Sequence, residues 1–236
     1  MDCKISDFNI AIHNNYSAMQ RNCENYKFEF QNADLTIDIT DKDKEYERAC
    51  ADGNYSDSAL EVTAIYRKLA EWLPLHNAFV LHSATFDVDG VGVAFAAHSG
   101  TGKTTHMLLW QKLLGERMTI VNGDKPIVRF FDEEPTVPYA YGTPWNGKER
   151  LGCNMRTPIK HICFIERSET NYVEKMQPSE IINLIFNQVY MPKDPMAVAA
   201  TMQLINRFIG CCELWKIHCN MDISAAETAY KALFLK

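Results

Sequence analysis

Seven consecutive residues, Ser99-Gly100-Thr101-Gly102-Lys103-Thr104-Thr105, bring together the side chains and backbone freedom that phosphate binding needs. Gly100 and Gly102 let the chain curl until successive N–H groups point at one anion. Lys103 supplies a charge that can reach β- and γ-phosphates, and Thr104 a hydroxyl placed to bind Mg²⁺. A β-like apolar run, Val91 to Phe95, precedes the loop, and a helix-like run, Met107 to Leu114, follows it. That order suits an anion, because the helix turns its free N-terminal amides and positive dipole end toward the loop. One position departs from the pattern G-x-x-x-x-G-K-[ST]: Ala97 stands where the first glycine is usual. The expected ligand is ATP, or another nucleoside triphosphate, with Mg²⁺, held by Ser99, Gly100, Thr101, Gly102, Lys103, Thr104 and Thr105.

A phosphate loop also needs a carboxylate at the end of a neighbouring strand, to hold Mg²⁺ or to take the acceptor's proton. Asp124 ends the apolar run Met118 to Val121 and is separated from Lys103 by a single helix. A helix out and a strand back place its strand beside the loop's strand. Asn122-Gly123-Asp124 is also turn chemistry, so a plain strand-end turn is the competing reading. His82 lies in a strand-like run, Phe79 to Phe86, and has two readings. It is a hydrogen-bonded core histidine, or a partner of Asp124 or of the transferred phosphoryl group. The loop Gly142 to Arg150 carries Trp145, Lys148 and Arg150, which suit an anionic group beside a flat wall or an ordinary surface loop equally well.

The elements that must position these groups follow from periodicity and punctuation. Short strands run through residues 1–45, marked by alternation at Phe8, Ile10 and Ile12, at Tyr26, Phe28 and Phe30, and at Leu35, Ile37 and Ile39. Asp41 to Asp57 reads as loop or a weak turn of helix. Ser58-x-x-Glu61 is a capping box for a helix with Leu60, Ala64, Ile65, Leu69 and Trp72 on one face, closed by Pro74. Asp89-Gly90 is a hairpin turn into the strand before the loop, and Gly115 ends the helix after it. A second hairpin joins Ile127–Phe131 to Val137–Tyr141. Strands His161–Glu166 and Leu214–Cys219 alternate with helices Ser179–Val189, Pro195–Ile209 and a last one capped by Ser224-x-x-Glu227. The apolar stripe from Ile181 to Val189 is core packing. The pattern predicts an α/β fold with a mixed, largely antiparallel central sheet. Residues 1–75 are a recognition lobe or an extension of the central sheet, and their alternation, implying one buried face, favours the extension; residues 76–236 carry the loop, all within one or two domains.

Composition narrows the role. The 236 residues are 47% hydrophobic and 23% charged, ordinary for a globular chain, and the net charge of −6 argues against nucleic acid as the main partner. The first residues form no signal-like apolar region and no run is long enough to span a membrane, so a cytoplasmic protein with reduced thiols is expected. The eight cysteines include no C-x-x-C pair. Cys212, His218 and Cys219 lie in a strand-like stretch and read as half-buried structural residues rather than metal ligands.

The segments Leu81-His82-Ser83, Asp89-Gly90-Val91-Gly92-Val93-Ala94-Phe95, Ser99 to Thr105 and Gly123-Asp124 together resemble the HPr kinase/phosphorylase superfamily. Its nucleotide-binding core is shared with ATP-dependent phosphoenolpyruvate carboxykinase. The resemblance spans about residues 78 to 130. It implies a P-loop core in which Asp124, His82 and Lys103 act catalytically and Thr104 and Asp124 hold Mg²⁺. It also implies phosphoryl transfer from ATP to a hydroxyl on a protein, peptide or small molecule, and an oligomer. Both families place two adjacent aspartates after the strand that follows the loop. Here Asp124 is followed by Lys125, which leaves its role open between metal ligand and proton acceptor. Glu149 and Arg150 match the family's further signature by position only. Two other functions stand beside this one: a nucleotide-binding regulatory module with little catalysis, and a carboxykinase-type enzyme, for which the chain is short.

Overall fold

The computed structural model describes residues 1–98 and 100–235, so Ser99 of the predicted loop lies outside the described residues. The chain begins with a small sheet of β1 (Asp2–Ile5), β2 (Phe8–His13) and β3 (Leu35–Asp38), in the order β1-β2-β3. Helices α1 (Ser17–Asn22), α2 (Asp41–Cys50) and α3 (Asp57–Trp72) belong to the same N-terminal layer. Its core joins Ile10, Ile12 and Ile37 of the sheet to Ile65 and Leu69 of α3, and continues into Val80 and Ile127.

The remaining strands form one nine-stranded mixed sheet. In chain order they are β4 (Ala78–Val80), β5 (Ala84–Val88), β6 (Val91–Ala96), β7 (Met118–Asn122), β8 (Ile127–Arg129), β9 (Tyr139–Tyr141), β10 (Arg156–Arg167), β11 (Tyr172–Lys175) and β12 (Glu213–Cys219). The long β10 is the branch point. Its first residues pair with β9, which continues through β8 to β4. Its later residues lie parallel to both β6 and β12. Beyond β6 come β5 and then β7, each antiparallel to its neighbour. The sheet is therefore mixed and largely antiparallel, as the sequence predicts.

Helices α4 (Lys103–Leu114) and α7 (Ile223–Phe234) cover one face; α5 (Pro178–Phe186) and α6 (Pro195–Cys211) cover the other. The strands between them alternate accordingly. Phe95 and Ile165 meet Trp110 and Leu233, whereas Ala96 and Phe164 belong with Ile185 and Phe208. Burial on both faces explains why β6 and β10 read as continuous apolar runs. Among the described residues, no helix is long and apolar enough to cross a membrane.

Several expectations are corrected. The N-terminal strands form their own sheet instead of extending the central one. The alternation at Tyr26, Phe28 and Phe30 makes no strand: Glu24–Tyr26 is a short 3₁₀ turn and Phe28 lies exposed under the Lys4 ammonium. Asp41–Cys50 is a full helix, opened by a reciprocal Thr40–Asp43 capping box. Ser56, not Ser58, caps α3, because Glu61 is buried accepting the amides of Asn15 and Tyr16. Asp222 precedes α7 in place of Ser224, α5 stops at Phe186, and α6 runs through Gly210 to Cys211. The run Phe79 to Phe86 breaks in two, into β4 and β5, with His82 and Ser83 at the break.

Candidate functional site

The sheet directions bring the chemistry-bearing residues to one edge. β6, β7, β10 and β12 all point the same way, since β7 and β6 are each antiparallel to β5 and β10 is parallel to both β6 and β12. Their C-terminal ends deliver the loop after Ala96, Asp124, Arg167 and Asn220 to that edge. β5 runs oppositely, so the segment before it carries His82 there too. The strand order is β7-β5-β6-β10-β12, so β5 separates the Asp124 strand from the loop strand. Direct adjacency of those two strands, expected from helix-out and strand-back, is thus corrected: the β5–β6 hairpin claims the pairing edge first.

The loop leaves β6 through Ala97 and reaches α4 through two left-handed glycines, Gly100 at φ 77° and Gly102 at φ 119°. Only glycine takes those angles without strain, which fixes its positions in the turn. Open space lies around each: among the described residues, nothing beyond its own chain neighbours stands within 4 Å of where a Cβ would be. Gly102 caps α4 and no acidic residue lies in the first turn, so nothing on the helix opposes an anion at its amides. Lys103 is buried and its Nζ donates to the Ala97 carbonyl at 2.9 Å. Burial pushes its pKa down; the charge of Asp124 works against that and the charge of Lys125 with it. Thr104 is half-buried and Thr105 exposed on the same turn.

Asp124 faces the His82 imidazole and the Lys125 ammonium. Its Oδ1 lies 3.3 Å from His82 Nε2 and 2.8 Å from Lys125 Nζ. Burial pushes the carboxyl up, but hydrogen bonds from His82 and Lys125 outweigh it and hold the pKa at about 2. Oδ2 has no hydrogen-bond or ion-pair partner among the described residues. The competing core reading of His82 gives way to this contact, since its side chain is a third exposed and meets Asp124.

Residues outside the predicted set build the turn and tie it to the loop. Asn122, fully buried, accepts the amides of Asp124 (2.8 Å) and Lys125 (2.7 Å) on its Oδ1 and donates to Thr143 Oγ1 at 3.0 Å. Gly147 closes over the turn, where a Cβ would stand 3.2 Å from Asp124 Cβ. Trp145 is spent on packing rather than offered as a wall: its ring meets Tyr66 of α3 at 5.6 Å and its Nε1 donates to the Val62 carbonyl. Lys148, Glu149 and Arg150 are exposed. Gln188, in the amide orientation its neighbours require, donates to the carbonyls of His82 (3.3 Å) and Ala97 (3.1 Å), joining the two halves of the edge. Arg167 donates from Nε to the Thr101 carbonyl at 3.2 Å and from Nη2 to that of Gly100, clamping the turn from β10. The one sequence signal for Arg167 was its place just past an apolar strand; nothing in the sequence marked Gln188.

On the far side of the sheet edge, His106 is buried in α4 with its pKa pushed down to about 4 by that burial, so its ring is neutral. Its Nε2 accepts from Trp110 Nε1 at 3.4 Å. His218 pairs with Glu174 and stacks on Tyr172, and no group of three His, Cys, Asp or Glu among the described residues could hold a metal. Thr104 and Asp124 each carry a hard oxygen donor, the ligand type that Mg²⁺ takes.

No family model and no curated protein matches the sequence. Among solved structures, the chain is similar to the Hpr(Ser) kinase/phosphatase from Coxiella burnetii, at 10% identity and a TM-score of 0.28, over 55% of this chain and 89% of that one. A likeness of that size has no bearing on activity.

Proposed function

We propose that this chain is a Mg²⁺- and nucleoside-triphosphate-dependent phosphotransferase, acting on a hydroxyl of a protein, peptide or small molecule. The observation that carries it is the meeting, on one sheet edge, of the Lys103 glycine turn with the His82–Asp124 pair, close enough for the Asp124 charge to act on Lys103. The turn is read as a P-loop. The amides from Gly100 onward and the Lys103 ammonium would hold the phosphates, Lys103 leaving the Ala97 carbonyl to do so. Thr104 and Asp124 would hold Mg²⁺, which when bound offsets charge on the phosphates.

Asp124 is the residue for the acceptor side. A carboxylate held near 2 is a weak base at neutral pH, since proton transfer works best when the catalytic pKa lies near the working pH. It therefore suits holding the metal and orienting the hydroxyl. A loose phosphoryl-transfer transition state needs positioning and charge stabilisation more than proton removal. His82 fixes the carboxylate through Nε2.

A second reading has one observation in its favour. Lys125 already occupies Asp124 Oδ1, an arrangement suited to a module that binds nucleotide and transfers little. Incubation with γ-labelled ATP and cell extract separates the two. A kinase labels a macromolecule or metabolite, and Lys103→Ala abolishes the label. Transfer retained in Lys103→Ala refutes the mechanism, and tight binding with no transfer by the natural chain selects the regulatory module. Oxaloacetate-dependent release of CO₂ would instead select a carboxykinase.

A further inference from the structure

The chain carries a net charge of −6, yet one cleft away from the glycine turn is lined by three cationic side chains and a single carboxylate. It encloses about 420 Å³ between the β1–β2 turn and the start of β10. Lys4, Lys27 and Arg156 are the cations and Asp7 is the carboxylate. Arg156 begins β10 and Arg167 ends it, so about 35 Å of strand separates this cleft from the clamp on the glycine turn. None of the residues assigned above to phosphate, Mg²⁺ or the acceptor lines it.

Bonds within the chain already set the walls. Ser6 and Asp7 turn β1 into β2 with left-handed φ angles of 53° and 61°, and Arg129 Nη1 donates to the Ser6 carbonyl at 2.6 Å. Such angles are uncommon for residues with a Cβ, so the turn is held by its neighbours rather than by its own preference. Tyr141 Oη donates to Asp7 Oδ2 at 2.5 Å and accepts from Arg156 Nη1 at 3.0 Å. Asn154 Nδ2 donates to the Asn25 carbonyl at 2.8 Å, tying the β10 side to the N-terminal side. A cleft built this way binds a ligand without first having to be ordered.

Its charges are unevenly used. Arg156 Nη1 faces Asp7 Oδ2 at 3.4 Å, which engages the one carboxylate. Arg156 Nε and Nη2 form the other edge of the guanidinium and make no hydrogen bond or ion pair among the described residues. Lys27 pairs with Glu24 at 2.7 Å on the surface. Lys4 has no ion pair among the described residues; its ammonium sits 4.5 Å over the Phe28 ring, itself 47% exposed. A free guanidinium edge is the donor pair that carboxylate and phosphate take, and an ammonium adds a point charge. Phe28 and Met155 give the same cleft apolar surface.

We propose that this cleft binds an organic oxyanion, its phosphate or carboxylate group held by Lys4 and Arg156 and its apolar stem lying against Phe28 and Met155. The site is independent of the phosphotransferase reading and stands or falls without it. Calorimetric titration at low ionic strength compares four probes: phenyl phosphate, isophthalate, inorganic phosphate and the neutral benzyl alcohol. The natural chain should bind at least one of the two aromatic anions and show no heat with benzyl alcohol. The tighter of the two anions tells whether the natural group is a phosphate ester or a carboxylate. Arg156→Met should weaken that anion by about tenfold or more, the loss of charge-assisted hydrogen bonds. Phe28→Ala should weaken the aromatic anions about threefold and leave inorganic phosphate unchanged.

Phosphate also suits the glycine turn, so each titration is repeated on Lys103→Ala. Anion binding that Lys103→Ala retains and Arg156→Met loses belongs to the cleft. The reverse pattern, lost in Lys103→Ala and kept in Arg156→Met, assigns it to the glycine turn and overturns the proposal. Failure of both aromatic anions to bind overturns it too, as does benzyl alcohol binding as tightly as they do. If Arg156→Met does not fold, having lost its bond to Tyr141, the double variant Lys4→Met/Lys27→Met decides by the same criteria.

Discussion

Asp43 and Asp124 are both carboxylates held charged against partial burial by neighbouring cations, and they differ in how much of their bonding the chain itself supplies. Asp43 uses both oxygens. Oδ1 accepts from Arg67 Nη2 at 3.1 Å, and Oδ2 from Thr40 N at 2.9 Å, Thr40 Oγ1 at 2.8 Å and Lys68 Nζ at 2.9 Å. Arg67 extends the network to Glu47 and Glu71. Asp124 receives both of its partners, His82 and Lys125, on Oδ1 and keeps Oδ2 open, at more than twice the exposure, 33% against 14%. A saturated carboxylate joins elements; a half-saturated one at a strand end can take a ligand. The N-terminal network ties α2 to α3, whereas the loop edge is organised and unfinished.

Substitutions that separate stability from chemistry test that contrast. The largest effect is expected at the open carboxylate. Asp124→Asn should lower phosphoryl transfer about a thousandfold, while its urea midpoint stays close to that of the natural chain, since both of its partners, His82 and Lys125, are partly solvated. Arg67→Met should do the reverse. It leaves Glu47 and Asp43, at 8% and 14% exposure, without their shared guanidinium, at a cost of about 3 kcal/mol in urea unfolding. The transfer rate per folded molecule should be unchanged. A large activity loss in Arg67→Met, or a large stability loss in Asp124→Asn, would erase the distinction between the two sites.

The same contrast marks what the sequence could disclose. The loop edge was legible because its signals are local: two glycines, Lys-Thr, and an aspartate closing an apolar strand fall at spacings that chain geometry constrains. His82 and Asp124 do meet. The N-terminal network was illegible because it is built across distance. Asp41–Cys50 carries so few apolar residues that periodicity reads it as loop, and its helix is held by Arg67 and Lys68, which lie a helix away. Gln188 and Arg167 escaped for the same reason, as partners of backbone carbonyls that no motif records. The split of Phe79–Phe86 could not be read from alternation, since both halves are apolar strands and only their pairing with β8 and β6 separates them.

Acid sharpens the comparison further. Burial raises the Asp43 carboxyl, but the bonds from Thr40 and Lys68 hold it well below the usual range. A carboxylate whose folded pKa is depressed adds stability that is fully present above its unfolded value, near 3.8, and is lost as pH falls below it. The natural chain should therefore lose stability progressively below about pH 4. Asp43→Asn should begin less stable at neutral pH and show a flatter decline in that window, read as urea midpoints at successive pH values. Parallel curves for the two proteins would remove Asp43 from the acid response and with it the claim that its bonds are saturated.

The smallest effect is expected where the two halves of the loop edge are joined. Gln188 is buried and donates to the carbonyls of His82 and Ala97, one on the acceptor side and one beneath the Lys103 ammonium. Gln188→Met preserves length and apolar contact and removes both donors. The Ala97 carbonyl keeps Lys103 as its partner, so one carbonyl rather than two is left short, a cost of about 1 kcal/mol. Because Lys103 must leave Ala97 to meet phosphate, the variant should hold Lys103 more firmly on that carbonyl and bind tripolyphosphate a few-fold more weakly. Calorimetry and urea unfolding on the same protein would then move together. At the N-terminal network, where every bond is internal, stability moves alone.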